Sequence, residues 1–180
     1  MLLKTIAIDA DFQDLEKVEI LAKEAFPPEE YLSPANLIAM ANKDNNLKFL
    51  ALYHETDFAG FMVVKTYKTM AYLFFLAICP DFRGIGLGSL AVKTLKQLYP
   101  DYCQVVDFEQ VDDRADNYRQ RVKRKQFYLR NGYRETGLFV KYLDVTYEVM
   151  SMGIPFNLTD FKEMFATLDI EGFNPQYFNK

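Results

Sequence analysis

The chain has 180 residues, half of them apolar and 16% aromatic (16 Phe and 12 Tyr, no Trp), with a formal net charge of −4 at pH 7. That length suits one domain, or a domain with a short appendage, able to bury a core. The acidic balance argues against a general nucleic-acid or anionic-membrane binder. No apolar run approaches the ~18 residues of a membrane span, and MLLKTIAIDAD turns acidic too soon for a signal peptide. A cytoplasmic protein is therefore expected.

In chain order, Leu2 to Ile8 reads as a strand, and Asp9 or Asp11 can cap a helix running to about Phe26. Leu15, Val18, Ala22 and Ala25 share one face of that helix, which Pro27-Pro28 ends. Ser33-Pro34 starts a second helix that closes near Asn42. The period then changes to that of strands: Leu47–Tyr53, Phe58–Tyr67 and Ala71–Cys79 form an antiparallel meander. The last of these is apolar at nearly every position, which marks a central strand covered on both faces.

A glycine loop follows, then a helix to about Tyr99 and a strand from Tyr102 to Phe108, which together make a parallel crossover. A basic helix spans about Asn117 to Asn131 and stops at Asn131-Gly132. Tyr133–Leu143 and Val145–Met150 read as the last strands, and Phe161, Met164, Phe165 and Leu168 as the apolar face of a capped helix. The closing FNPQYFNK reads as irregular. The domain is placed at residues 1–152, with 153–180 as an extension packed on or beside it. Cys79 and Cys103 have no CxxC spacing and a single histidine, His54, to join them, so buried reduced thiols are expected and a metal site is not.

Chemistry concentrates in Arg83-Gly84-Ile85-Gly86-Leu87-Gly88-Ser89. Glycines between a strand and a helix let the main chain turn tightly and point successive N–H groups at one spot, where the helix dipole also favours an anion. A Walker loop would close on Gly-Lys-Ser/Thr, but Gly88 is followed by Ser89-Leu90. A dinucleotide fingerprint would need a third glycine where Ser89 stands, and would open a parallel sheet rather than follow a meander.

The pattern that fits is Arg-x-x-Gly-x-Gly after a buried strand ending in proline. The segment FFLAICPDFRGIGLGSLAV resembles the acetyl-CoA loop of the GCN5-related N-acetyltransferase (GNAT) family, and Phe127-Tyr128-Leu129-Arg130-Asn131-Gly132-Tyr133 resembles its second landmark. The order of elements is similar to that family from Leu2 to about Met150. The resemblance implies an α/β (α+β) fold with a mixed, mostly antiparallel sheet flanked by helices, whose central strand pair splays to admit acetyl-CoA. It implies that backbone near Ala77 and Ile78 meets the pantetheine arm, and that the amides of Gly84, Ile85, Gly86, Leu87, Gly88 and Ser89 hold the diphosphate, with Arg83 at the mouth.

The activity implied is N-acetylation of a primary amine on a small molecule, peptide or protein, by direct attack on the thioester. An alkylammonium is neutral at pH 7 only to the order of a part in a thousand, so the site needs a proton acceptor as well as a donor for the leaving thiolate. Tyr128 matches the family position beside the coenzyme sulfur and is taken as general acid. Glu109 and Asp107, at the end of a strand, are candidates for the base, or ordinary strand-end acids. His54 falls in the HETD turn, far from the loop along the chain, and is the weaker candidate.

One departure from the family stands out. Arg121 and Arg124 occupy positions where relatives carry small residues, and with Tyr128 they form an i, i+3, i+7 stripe. They could hold a coenzyme phosphate, with Arg124 the candidate, or pair with Glu109. They could also belong to a solvated basic helix balanced by Asp112, Asp113 and Asp116. Tyr118, Val122 and Leu129 offer a competing apolar face for the same helix. Phe173, Tyr177 and Phe178 read either as an acceptor pocket or as a homodimer interface. A non-catalytic acetyl-CoA-binding or sensing module is the alternative to an enzyme.

Overall fold

A computed structural model describes residues 3–179; the Leu2 end of the expected first strand and Lys180 lie outside them. Contacts divide the chain into two compact units. The first takes the chain up to Thr66 together with Leu73–Pro100, and the second takes Tyr67–Tyr72 with everything from Asp101 on.

In the first unit, strands β1 (Lys4–Ala7), β2 (Leu47–His54) and β3 (Asp57–Tyr67) pair antiparallel in sequence order, and β4 (Met70–Ile78) lies next to β3. Alternation puts Phe49, Ala51 and Tyr53, Phe61 and Val63, and Phe75 and Ala77 into one core. Helices α1 (Leu15–Ala25) and α2 (Pro34–Lys43) bring Val18, Leu21, Ala22, Leu37 and Ile38 to that core. Full burial of each Val, Leu or Ile side chain among them stabilises by about 1.5–3 kcal/mol.

The start of α1 lies later than its acidic residues suggested. The Asp9 carboxylate accepts from the Asp11 amide at 3.0 Å, closing a local turn instead of a helix. Asp14, at the N-cap, makes no capping bond because it accepts the Tyr53 hydroxyl and pairs with Lys17. For α2 the cap-plus-proline reading holds: Ser33 Oγ accepts from the Asn36 amide at 3.2 Å, with Pro34 opening the helix. Helix α3 (Leu87–Leu98) buries Leu87, Ala91, Val92 and Leu95.

In the second unit, the first three residues of β4 (Met70–Tyr72), then β5 (Cys103–Glu109), β7 (Val145–Met152), β6 (Arg134–Tyr142) and β8 (Gln176–Asn179) follow in that spatial order. The β4–β5 ladder is parallel and three pairs long, Met70↔Cys103 to Tyr72↔Val105, in strands of nine and seven residues. All the other registers on that side are antiparallel. This is the mixed, mostly antiparallel sheet expected from the sequence, flanked by helices that include α4 (Tyr118–Arg130) and α5 (Leu158–Ala166).

The tail corrects the sequence reading. Its last described residues form β8, paired with β6 from Leu138↔Asn179 to Lys141↔Gln176. Tyr177 packs toward Phe161 and Phe165 of α5, and Phe178 stacks on Phe139 at 6.0 Å. A free edge strand leaves a row of unpaired N–H and C=O groups, and β8 satisfies them. Four residues between a proline and the chain end are too few to show a period.

Candidate functional site

Strand β4 ends at Ile78, a single 3-10 turn covers Pro80–Phe82, and the chain enters α3 through Gly84 (φ 79°) and Gly86 (φ 91°). Both torsions lie in the left-handed region that glycine adopts without strain. A Cβ at either position would meet no protein atom within 4 Å. The glycines therefore serve the backbone turn and leave open space before it. No side chain caps α3, and its first intrahelical bond runs from the Leu90 amide to the Gly86 carbonyl at 3.0 Å. The N–H groups of Leu87, Gly88 and Ser89 thus precede the first turn's acceptors, at the positive end of the helix dipole. Residues 83–86 are solvent-exposed. This arrangement fits a phosphate-bearing ligand.

Arg83 is already engaged. Its Nε donates to the Ile78 carbonyl at 2.9 Å, and its Nη2 pairs with Glu24 at 3.0 Å, both side chains about half exposed. Ala77 is fixed by a residue the sequence reading passed over. Gly60 sits in β3 at φ 153°, and a Cβ there would come within 2.1 Å of the Ala77 carbonyl oxygen. A lone glycine inside an apolar strand run is a signal of close backbone approach. His54, expected far from the loop, has its ring 6.1 Å from that of Phe82, one residue before Arg83.

In the second unit, Tyr128 is the one buried residue of α4. Its ring stacks on Phe108 at 5.5 Å and meets Tyr133 edge-on at 5.3 Å. Burial pushes its phenol up to about 12, eased by the Arg124 charge and reinforced by that of Asp107. Among the described residues its hydroxyl makes no hydrogen bond. Tyr118 and Leu129 of the competing apolar face are exposed instead, which settles the helix register.

Glu109 is held by α4. Asn117 Nδ2 donates to both carboxylate oxygens (3.0 and 3.3 Å), Arg121 Nη2 donates at 2.9 Å and Arg124 Nη1 at 3.2 Å. Arg121 also donates to the Gln110 carbonyl at 2.9 Å and to Asn117 Oδ1 at 2.6 Å. Both arginines of the stripe pair with Glu109. Asp112 pairs with Arg114, and that pairing, with a smaller part from the Arg121 charge of α4, draws its carboxyl down to about 2.

Asp107 is placed differently. Tyr72 donates its hydroxyl to Oδ1 at 2.6 Å and Tyr142 donates to Oδ2 at 2.7 Å. Burial raises the carboxyl, and the two tyrosine hydrogen bonds oppose the rise. Burial and the Asp107 charge raise both phenols well above their ordinary range. Nothing in the sequence marked Tyr72 and Tyr142, which are 70 positions apart and meet at this carboxylate. Among the described residues no group of three or more His, Cys, Asp or Glu could hold a metal, and no helix is long and apolar enough to cross a membrane. Cys103 is buried and Cys79 half-buried, both as free thiols.

Comparison with known proteins follows the same line. The family described as Acetyltransferase (GNAT) matches residues 12–133. No match to the chain emerged among curated proteins. Among solved structures, a protein of Bacteroides thetaiotaomicron described as a GNAT-family acetyltransferase aligns with a TM-score of 0.71 at 20% identity, over 89% of this chain and 93% of that one. The ribosomal-protein-S18-alanine N-acetyltransferase of Escherichia coli gives 0.61 at 15%, over 87% and 98%. The PaiA N-acetyltransferase of Thermoplasma acidophilum, solved with coenzyme A, gives 0.60 at 15%, over 86% and 100%. At these identities the likeness is one of fold.

Proposed function

The chain belongs to the acetyltransferase (GNAT) family, and on that premise we propose that it carries the acetyl group of acetyl-CoA to a primary amine by direct attack of the amine on the thioester. The observation that carries this reading is the uncapped start of α3 behind two glycines in left-handed torsions, with open space before them. The backbone of Gly84, Ile85, Gly86, Leu87, Gly88 and Ser89 would receive the diphosphate as successive N–H donors. Ala77 and Ile78 would offer main-chain groups to the pantetheine arm, with Gly60 fixing the carbonyl of Ala77.

Tyr128 is the proposed acid. A phenol titrating near 12 stays protonated at working pH and can give its proton to the departing thiolate. A hydroxyl without a protein partner is consistent with that role. Glu109, whose two oxygens already take donors from Asn117, Arg121 and Arg124, is the weaker base. Arg124 is the more exposed of its two arginines (40% against 17%). It could move to a coenzyme phosphate while Arg121 and Asn117 keep Glu109 satisfied. Solved relatives named for acetylating an alanine amine or complexed with coenzyme A support the amine and the coenzyme as the reacting pair. A cytoplasmic location belongs to the same reading.

Thiol release from acetyl-CoA across a broad panel of primary amines, with calorimetric titration of acetyl-CoA, tests this. Binding with amine-dependent release is expected. Binding without release on any amine would replace the enzyme with a sensing module, and absence of binding would overturn the assignment of the loop.

A further inference from the structure

Two acids stand on β5, and their surroundings differ in kind. Glu109 has two guanidinium partners. Asp107 has two phenol donors and, among the described residues, no cationic partner at all. Its strand neighbours Val106 and Phe108 are buried, yet Asp107 itself is partly exposed. A carboxylate set deep in a protein is costly unless a positive charge meets it. Asp107 meets no such charge among the described residues and opens partly to solvent, where a cationic ligand can supply one.

The groups around this carboxylate are aromatic. Tyr142 stacks flat on Tyr147 at 4.2 Å and stands 5.0 Å from Phe173 and 6.1 Å from Phe165. Tyr72 meets Phe165 at 5.3 Å. Tyr142 and Phe173 are partly exposed, whereas Tyr72, Tyr147 and Phe165 are buried. Ring faces carry negative potential and attract an ammonium, and the same rings accept a flat apolar body by stacking. Phe165 and Phe173 come from beyond residue 133, where the family match ends.

We infer that Asp107, with Tyr72, Tyr142, Phe165 and Phe173, forms the acceptor subsite and selects a primary ammonium attached to a flat apolar group. The inference rests on the acetyl-transfer reading and specifies its substrate. The ammonium passes one proton to Asp107 Oδ, and the neutral nitrogen bonds to the thioester carbonyl carbon. The C–S bond breaks, the sulfur takes the Tyr128 proton, and the nitrogen's surplus proton restores Tyr128. Asp107 returns its proton to water, so one proton leaves per turnover. The Asp107 charge adds to the burial that keeps the Tyr128 phenol protonated.

The test compares arylalkylamines with alkylamines of equal pKa in the thiol-release assay, using the full chain and the variants D107N, F173A and Y142F. The intact protein is expected to favour the arylalkylamines at least tenfold in kcat/KM. D107N should lose 100-fold or more in kcat/KM for the amine while binding acetyl-CoA within twofold of the parent. F173A should reduce the arylalkyl preference about tenfold. The titratable groups that act on Asp107 are Tyr72 of β4 and Tyr142 of β6, which donate to it, and Tyr128 of α4, which feels its charge. Removing the Tyr142 donor raises the carboxyl, so in Y142F the acid limb of kcat/KM should move to higher pH. A folded D107N with kcat/KM within threefold of the parent overturns the inference, as does an unmoved acid limb in Y142F should D107N fail to fold. Equal turnover of both amine classes overturns the substrate class. In each of those cases acetyl transfer itself survives, whereas no thiol release from any amine would overturn the parent reading.

Discussion

The glycine loop and the Asp107–Glu109 strand end are specified in opposite ways. The loop is made by backbone torsion: two glycines at φ 79° and 91°, with no neighbouring atom near their Cβ positions and no side-chain cap on the helix they open. The strand end is made by side chains that reach it from β4, β6 and α4. A site of the first kind is written in consecutive residues. A site of the second kind exists only once distant segments have docked, so its parts are individually ordinary.

Substitutions can break or sharpen that contrast. The largest effect is expected at Gly60→Ala, whose Cβ falls 2.1 Å from the Ala77 carbonyl oxygen. A clash with backbone has no soft side chain to relieve it, and a loss of about 3–4 kcal/mol should appear as a lowered denaturation midpoint. Gly86→Val clashes with nothing in the protein but places a β-branched residue at φ 91°. The fold should survive at a cost of about 1–3 kcal/mol, while acetyl-CoA affinity by calorimetry drops at least 100-fold. Retained affinity would mean that the loop is a turn and nothing more.

Tyr128→Phe belongs to the other region. It should lower kcat about 100-fold, within the range of positioned acid catalysis, and leave acetyl-CoA affinity within twofold. Because that phenol titrates near 12, the parent enzyme should show no alkaline fall in kcat assignable to it up to pH 9 or so. Arg121→Ala removes one of two guanidiniums on a mostly buried carboxylate, and Arg124 and Asn117 remain. Stability should fall by about 2 kcal/mol, less than the full cost of an orphaned buried charge, as measured by chemical denaturation. The smallest effect is expected at Glu24→Gln. Its pair with Arg83 is about half exposed on both sides, and such pairs contribute within about 1 kcal/mol.

Legibility in the sequence follows the same division. The strand-loop-helix around Gly84–Ser89, the Ser33-Pro34 cap and the Asn131-Gly132 stop were readable because each is a local rule. The register of α4 was not. Arg121 and Arg124 look like a solvent face until Glu109, supplied by another strand, turns them inward. Tyr118 and Leu129 look like a core face and are exposed. Strand β8 was invisible because its reason to exist lies in β6. His54 was placed far from the loop on chain distance alone, although the β2–β3 hairpin returns it to Phe82.

That last strand also bears on how the chain can go wrong. Pairing from Leu138↔Asn179 to Lys141↔Gln176 closes the outer edge of β6 late, with residues far along the chain. Until it forms, or in any chain cut before Gln176, β6 offers unsatisfied amides and carbonyls beside the ring of Phe139, which has lost its cover by Phe178. Such an edge is a template for a second molecule's strand. Shortening the tail would thus be read first as loss to inclusion bodies and filaments, before any change in turnover could be measured.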